Sequence, residues 1–279
     1  MLSSYSESQP LAGHPRGLPP AGTLGAKRPG FRPATYARQL AGLGFFYFLG
    51  WCSNFFGLVA ATTGYRKGQT DFWQQTIGRL FRIWQRAGVV LGVIEIRVKG
   101  AERLASLRGT IVAANHPSLV DAFALLCHVP RAVCVMRSDL AANAAISRLA
   151  ALAGYIANDR GPALVRGGIA RLSAGDNVLI FPEGTRSHGA MLAPFKRGFA
   201  LMATKSRAPV QTVLIRLEGE YFSKGHGLFQ PAVLPVRLTI EPGEVFTPGS
   251  EENADEFAGR IEAYFRRVNP HSQPGGQGI

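Results

Sequence analysis

Residues 110–121 read Thr110-Ile111-Val112-Ala113-Ala114-Asn115-His116-Pro117-Ser118-Leu119-Val120-Asp121. The first five form an apolar run of the kind a buried strand needs, and a helix is expected over 120–127. His116 therefore emerges where a strand ends, with Asp121 following after four residues. An imidazole in that place accepts a proton near neutral pH, and a nearby carboxylate fixes its tautomer and stabilises its cation. A single His/Asp pair also fits a structural hydrogen bond. A second polar cluster raises this one above that reading: Phe181-Pro182-Glu183-Gly184-Thr185-Arg186-Ser187, again directly after an apolar, strand-like run.

The pattern around these two clusters alternates. Strands are expected over 92–98, 110–114, 131–136, 177–181, 210–217 and 234–240. Helices are expected over 120–127, 142–153, 162–173 and 196–206, with a last one from Glu251 to Val268. Such alternation predicts an α/β fold, a central mixed sheet flanked by helices. There is no internal repeat.

Ahead of residue 88 the composition changes. Residues 1–38 are rich in Pro, Gly, Ser and Ala, with Arg16, Lys27, Arg28, Arg32 and Arg38 among them; they read as a disordered basic tail. No apolar segment lies beside Met1, so no ordinary secretory signal peptide is expected. From Gln39 to Tyr65 there is no charged residue, and 40–61 holds Phe45, Phe46, Tyr47, Phe48, Trp51, Phe55 and Phe56. As a helix those 22 residues reach about 33 Å, enough to cross a hydrocarbon core. The aromatics suit an interfacial depth equally well. Arg38 before and Arg66-Lys67 after leave the orientation signal nearly silent. Residues 71–86 set Phe72, Trp73, Ile77, Leu80, Phe81 and Trp84 on one helical face, with Gln75, Arg79, Arg82 and Arg86 on the other. That pattern fits either an interfacial helix or one packed on the domain. The expected organisation is a tail over 1–38, a membrane-associated helix pair over 39–87, a catalytic domain over 88–270 and a flexible tail over 271–279.

The chain carries 31 Lys and Arg against 18 Asp and Glu, a formal +13. Residues 1–86 hold ten basic and two acidic residues, so +8 of the excess surrounds the apolar N-terminal segments. This placement favours an anionic membrane surface over nucleic acid, for which no zinc-finger or RNP-type pattern is present. Cys52, Cys127 and Cys134 are an odd set in apolar surroundings. They read as buried, reduced thiols rather than a disulfide framework or a metal site.

In the second cluster Gly184 permits close backbone approach, Thr185 and Ser187 add hydroxyls, and Arg186 offers a planar donor set suited to phosphate. Lys196 follows ten residues later and adds positive charge. Glu183 is a candidate to hold an acceptor hydroxyl or to brace Arg186. Between the clusters, Arg160 is a further phosphate candidate, although a loop arginine alone also fits a solvated charge. His188 adjoins the second cluster and reads more simply as a solvated loop residue. His128 and His226 carry no functional argument.

Taken in order, His116 with Asp121, then Arg160, then Phe181 to Ser187, then Pro209, this set resembles the four-motif pattern of the glycerolipid acyltransferases. Their type case is 1-acylglycerol-3-phosphate acyltransferase. The likeness covers about residues 90–220, and Gly189, Leu192, Phe195, Lys196 and Gly198 also fit it. The N-terminal helices resemble the membrane-docking two-helix motif of bacterial members. Asn158 stands before Asp159-Arg160 where the family has an aliphatic residue. Thr212 stands where the fourth motif has its second proline, a motif linked to the acyl-chain side.

The resemblance implies His116 as general base and Asp121 as its orienting acid. It implies Arg160, Glu183, Gly184, Thr185, Arg186 and Lys196 as the acceptor-binding set. The implied reaction moves a fatty acyl group from acyl-CoA or acyl-carrier protein to the free hydroxyl of 1-acylglycerol-3-phosphate. Neither a metal nor a redox cofactor is implied. Another lysolipid acceptor, such as a lyso-aminolipid, a specialised acyl or polyene product, and a non-catalytic lipid-binding role are the alternatives. The implied location is the cytoplasmic face of the inner membrane, by a monotopic or single-pass helix.

Overall fold

A computed structural model of the chain describes residues 32–66, 68–138, 147–158, 161–187 and 192–269. The expectations for residues 1–31 and 271–279, for Arg160, His188 and Gly189, and for the start of the 142–153 helix lie outside these residues.

Seven strands form one sheet: β1 (Ile94–Val98), β2 (Ile111–Ala114), β3 (Ala132–Arg137), β4 (Ile156–Asn158), β5 (Asn177–Ile180), β6 (Val210–Glu218) and β7 (Val236–Phe246), in the spatial order β1-β7-β6-β2-β5-β3-β4. Every neighbouring pair is parallel except β6 with β7. The sheet is therefore mixed, as the alternation predicted. The helices are α1 (Pro33–Thr63), α2 (Thr70–Val90), α3 (Ala101–Ala105), α4 (Asp121–Leu126), α5 (Ser147–Leu152), α6 (Pro162–Ser173), α7 (Gly198–Ser206) and α8 (Ala254–Val268).

The two-residue period of the strands divides the core. Ile111, Ala113, Val133, Val178, Ile180 and Val210 face α6, α7 and α8 through Leu164, Leu172, Phe199, Met202, Phe257 and Phe265. Val112, Ala114, Cys134, Leu179, Val213 and Leu238 face the other way, onto Leu104 of α3 and Ala124 to Leu126 of α4. Both faces of β2 are consequently dry, which is why its sequence is apolar throughout rather than alternating. Each fully buried Leu, Ile or Phe contributes about 1.5–3 kcal/mol.

Boundaries follow local chemistry. Helix α6 begins at Pro162, where the missing amide proton costs nothing. Helix α8 begins at Ala254 rather than Glu251, because the Asn253 side chain accepts from the amides of Asp255 and Glu256 in a capping box with Glu256. The sequence reading misses β4, a three-residue edge strand, and α3, a five-residue helix.

Strand β7 runs six residues beyond the expected end, through Glu241-Pro242-Gly243. Proline and glycine normally stop a strand, but here side chains take the carbonyls the irregular ladder leaves open. Arg103 donates to Pro242 O and Gly243 O, Gln211 to Gly243 O, and Thr212 Oγ1 to Glu244 O at 2.8 Å. Thr212 is thus buried inside a register shift between β6 and β7. Its bond explains the departure from proline: the hydroxyl closes a bulge.

The N-terminal helices also differ from expectation. Helix α1 starts at Pro33, so residues 33–38, read as tail, are helical; it ends on Gly64 in the left-handed region (φ 68°). It lies along the domain over most of its length. Gln39 bonds to the 228–232 segment, Gly42 meets Val93, Phe46 meets Trp84 and Phe123, Gly57 meets Leu149, and Ala60 is buried. From Gln39 to Ala60 that is about 32 Å of helix held against protein. Its outer face keeps Leu40, Tyr47, Phe48, Trp51, Phe55 and Val59 exposed, with Trp51 at 68%. Helix α2 spends its apolar face on the domain instead. Trp73, Ile77 and Trp84 are buried, and Trp84 packs edge-on against Phe46, Phe123 and Phe222. The face of α2 read from sequence as suited to lipid is therefore filled by protein.

Cys127 and Cys134 are buried, as expected, while Cys52 on α1 is only partly so. Burial pushes the Cys127 thiol up to about 11 and the Cys134 thiol up to about 12. At pH 8 iodoacetamide should accordingly modify Cys52 in the folded protein and reach Cys127 and Cys134 only after denaturation, as read by mass spectrometry. Labelling of either buried thiol at the unfolded rate would contradict this packing.

Candidate active site

Strands β2 and β5 are parallel neighbours in register from Ile111↔Val178 to Ala113↔Ile180. The loops leaving their carboxyl ends are therefore adjacent, at the edge where open α/β sheets bind ligands. The first loop carries His116, the second Glu183 to Ser187. Sheet topology thus joins two clusters separated by 67 positions in sequence.

Asp121 sits in the first turn of α4 with no exposure to solvent. Its Oδ2 lies 2.8 Å from His116 Nδ1 and accepts the Ser118 amide at 2.7 Å. Its Oδ1 accepts the Ser118 hydroxyl, and Ser118 Oγ accepts the Val120 amide at 3.2 Å. Burial pushes the Asp121 carboxyl above its ordinary value, while the bonds and charge of His116 and the bonds of Ser118 act in the opposite direction. With Nδ1 committed to the carboxylate, Nε2 is the ring nitrogen left to take a proton. The imidazole stacks on Phe181, with ring centroids 4.1 Å apart and planes 17° from parallel, and is 20% exposed. Asn115 secures the base of the loop: its side chain donates to Ile215 O at 2.8 Å and accepts from Ile215 N at 2.7 Å.

Glu183 joins the two loops. Its carboxylate is buried and filled by protein donors: His116 N at 3.0 Å, Ala193 N at 2.9 Å and Ser187 Oγ at 2.8 and 2.9 Å. The Ser187 amide then donates to His116 O at 2.8 Å. Among the described residues its partners do not include Arg186; Glu183 clamps the two loops together. A carboxylate suits that task because it accepts several amide donors at once, which no neutral side chain of that size does.

Arg186 projects from the same loop toward the β6–β7 connection, where Nη1 donates to Phe222 O and Ser223 O at 3.4 and 3.3 Å. These are long bonds, and among the described residues Nε and Nη2 have no protein acceptor. Gly184 has φ 66°, a left-handed conformation that a side chain would strain. A Cβ there would stand 2.5 Å from Lys196 Nζ, so the lysine chain crosses directly over the glycine. Lys196 is exposed and anchored through its amide to Pro182 O at 2.8 Å; Thr185 is exposed beside it. Arg186, Lys196 and Thr185 are therefore brought together with open donors, next to the His116 loop.

Ser118, Phe181 and Ser187 are parts of the site to which the sequence reading assigned no such tasks. Ser118 had a local signal, since a hydroxyl two residues past a loop His and three before an Asp can cap that carboxylate. The stacking of Phe181 and the double bond of Ser187 to Glu183 depend on the pairing of β2 with β5, which no local pattern encodes.

The clamp has a measurable energy. Glu183→Ala leaves the His116 and Ala193 amides without their buried acceptor, at about 1–3 kcal/mol each. Urea unfolding should show a loss of roughly 2–6 kcal/mol, with Glu183→Gln losing less. Unchanged stability in the alanine variant would mean that the carboxylate does not hold the loops.

A family profile described as Acyltransferase matches residues 95–216, the stretch that contains both loops. The chain is 28% identical to human 1-acyl-sn-glycerol-3-phosphate acyltransferase alpha over 192 residues, 66% of this chain and 68% of that one. It is also 28% identical to the 1-acyl-sn-glycerol-3-phosphate acyltransferase of Limnanthes douglasii over 195 residues, covering 67% and 68% of the two chains. Among solved structures, the 1-acyl-sn-glycerophosphate (LPA) acyltransferase PlsC of Thermotoga maritima shares the fold. Its TM-score is 0.66 at 22% identity, over 85% of this chain and 97% of that one. Residues 95–216, the stretch that holds the His116–Asp121 pair and the Glu183 clamp, are thus the part of the chain that is similar to acyltransferases.

Proposed function

We propose that the chain transfers a fatty acyl group from a thioester, acyl-CoA or acyl-carrier protein, to the free hydroxyl of 1-acylglycerol-3-phosphate, giving phosphatidic acid. The observation that carries this reading is the juxtaposition of the His116–Asp121 pair with the open donors of Arg186 and Lys196. A base beside a cationic, phosphate-sized donor set suits an acceptor that bears both a hydroxyl and a phosphate. The names of the relatives agree with that acceptor.

In this mechanism His116 Nε2 removes the hydroxyl proton as the oxygen attacks the thioester carbonyl. Asp121 stabilises the imidazolium that forms, and the imidazolium returns the proton to the departing thiolate. The logic is that of a Ser-His-Asp triad with the substrate hydroxyl in place of serine. No acyl-enzyme forms, and the chemistry needs neither metal nor redox cofactor. Arg186 and Lys196 hold the phosphate, and Arg160 belongs to the same proposed set. Orientation of this kind contributes several kcal/mol to barrier reduction. The acyl chains would lie toward the apolar cleft lined by Phe46, Trp84, Leu119, Val120, Phe123 and Phe222, whose free space of about 30 Å³ requires these side chains to move apart.

The exposed aromatic face of α1 is proposed to lie in one leaflet of the membrane. The packing of α1 along the domain supports this placement, since an in-plane helix buries that face at the headgroup boundary. The cytoplasmic face of the inner membrane is the proposed side, because thioester donors are found there.

Two measurements test the reaction. A mass-detected panel crossing several lysolipids with both thioester donors should show transfer to lysophosphatidic acid above all others; preference for a lyso-aminolipid would replace the acceptor, and absence of any turnover would replace the enzyme reading. Asp121→Asn can keep the local hydrogen bonds, since Ser118 Oγ can reverse its donation, but it loses the charge. Its turnover should fall by about 10³-fold or more. Its stability follows from linkage. A folded-state carboxyl pKa that is raised gives stability fully present below the unfolded value and lost as pH rises through the shifted one. The asparagine variant should therefore unfold at a temperature no lower than the parent at pH 8. Parental turnover in that variant would remove Asp121 from the reaction.

A further inference from the structure

The connection between β6 and β7, residues 219–235, is fastened at two places. At the site, Leu119 N donates to Phe222 O at 2.9 Å, Ser118 and Ser223 form an antiparallel bridge, and Arg186 reaches Phe222 O and Ser223 O. Tyr221 and Phe222 are buried there against Trp84, Val93 and Val120. At the other place the loop is bound to the first turns of α1. The Gln39 amide, fully buried, donates to Leu228 O at 3.0 Å and Gln230 O at 2.8 Å, and its oxygen accepts Ala232 N at 3.1 Å. Tyr36 Oη donates to Phe229 O at 3.0 Å. A glutamine buried within a mostly apolar helix satisfies its own polar atoms by fixing the loop's backbone.

Held in this way, the loop leaves large apolar side chains in the open: Phe229 at 64% and Val233 at 58% exposure. The end of α2 adds Val89 and Val90, and it too lies against the start of α1, where Gly92 adjoins the Arg38 guanidinium and Val93 meets Gly42. Leu40 is exposed on α1 itself. Two separate segments thus adjoin one end of α1, each with uncovered apolar groups, and Leu40 adds to them from the helix whose outer face carries Tyr47, Phe48 and Trp51. Exposed apolar surface contributed by several elements at once marks a contact surface. The charge around it has one sign. Arg32, Arg38 and Lys224 lie in these segments, and there is no Asp or Glu in residues 32–65, 86–93 or 221–240.

We propose that the 224–233 loop is a second membrane-contacting element, which enters an anionic lipid surface beside α1 through Phe229 and Val233. The proposal rests on the interfacial reading of α1. Its consequence for the reaction follows from the loop's other anchor: the segment that touches lipid is the one whose carbonyls hold Arg186 and whose backbone pairs with the His116 loop.

The test places an environment-sensitive NBD label on a single introduced cysteine in full-length protein carrying Cys52→Ser, with the buried Cys127 and Cys134 retained. One preparation carries Phe229→Cys, a second Trp51→Cys on α1. Both are mixed with vesicles of phosphatidylethanolamine and phosphatidylglycerol that contain doxyl-labelled lipid. The expected result is a blue shift and doxyl quenching at both positions, diminished when phosphatidylglycerol is omitted. Response at position 51 with aqueous emission at 229 would overturn the loop's contact while leaving α1 at the membrane. No response at either position would overturn both readings. A Phe229→Ser/Val233→Ser double variant should bind the same vesicles on the order of tenfold more weakly. It should retain parental turnover of a water-soluble, short-chain lysophosphatidic acid, which separates lost docking from lost folding; parental vesicle affinity would also count against the loop.

Discussion

A carboxylate with no access to water organises this molecule. Asp121 is buried at the start of α4, where an ionised group is costly unless it is hydrogen-bonded, and its neighbours are arranged to meet that cost. Ser118 contributes both its amide and its hydroxyl, and His116 contributes Nδ1. The same bonds decide the chemistry, because an imidazole bound through Nδ1 can present only Nε2. Stability and reactivity here are two consequences of one placement. The loop must return on itself within six residues for the bond to form, and Asn115 fixes its beginning on β6 while α4 fixes its end.

Glu183 extends that constraint across the sheet. Parallel pairing of β2 with β5 sets two loops side by side without joining them, since the backbone ladder stops at Ala113 and Ile180. The Glu183 carboxylate continues the connection by taking donors from both loops, so the donors of Arg186 and Lys196 keep their position relative to His116. Glu183, read from sequence as a substrate-binding candidate, thereby also positions the two loops. The β6–β7 connection carries the linkage outward again, from Arg186 to Gln39 on α1. In the proposed reading, membrane docking and phosphate recognition share one piece of backbone.

Much of this was legible in residue order. The apolar run Ile111 to Ala114 identified a buried strand, the helix expected from 162 begins at Pro162, and the His116–Asp121 spacing identified a pair that the fold joins by a hydrogen bond. What escaped was whatever depends on side chains meeting across the fold. Strand β7 passes Pro242 and Gly243 only because Arg103, Gln211 and Thr212 take up the loose carbonyls. The cationic amphipathic pattern of α2 describes a helix with one apolar face without saying what covers it; Phe123 and Phe222, distant in sequence, cover it with protein. Thr212 looked like a change in a recognition motif, yet it closes a bulge in the β6–β7 ladder. Gln39, an amide in a mostly apolar helix, gave no sign of the loop nearly 190 residues away that it holds.

The central claim is that Asp121 sets the tautomer of His116 and so leaves Nε2 as the base. Nitrogen-15 NMR of histidine-labelled protein at neutral pH, with the His116 signals identified by their loss in His116→Gln, measures this directly. The account predicts a proton on Nδ1, hydrogen-bonded and slow to exchange, with Nε2 unprotonated. A neutral imidazole carrying its proton on Nε2 would contradict it.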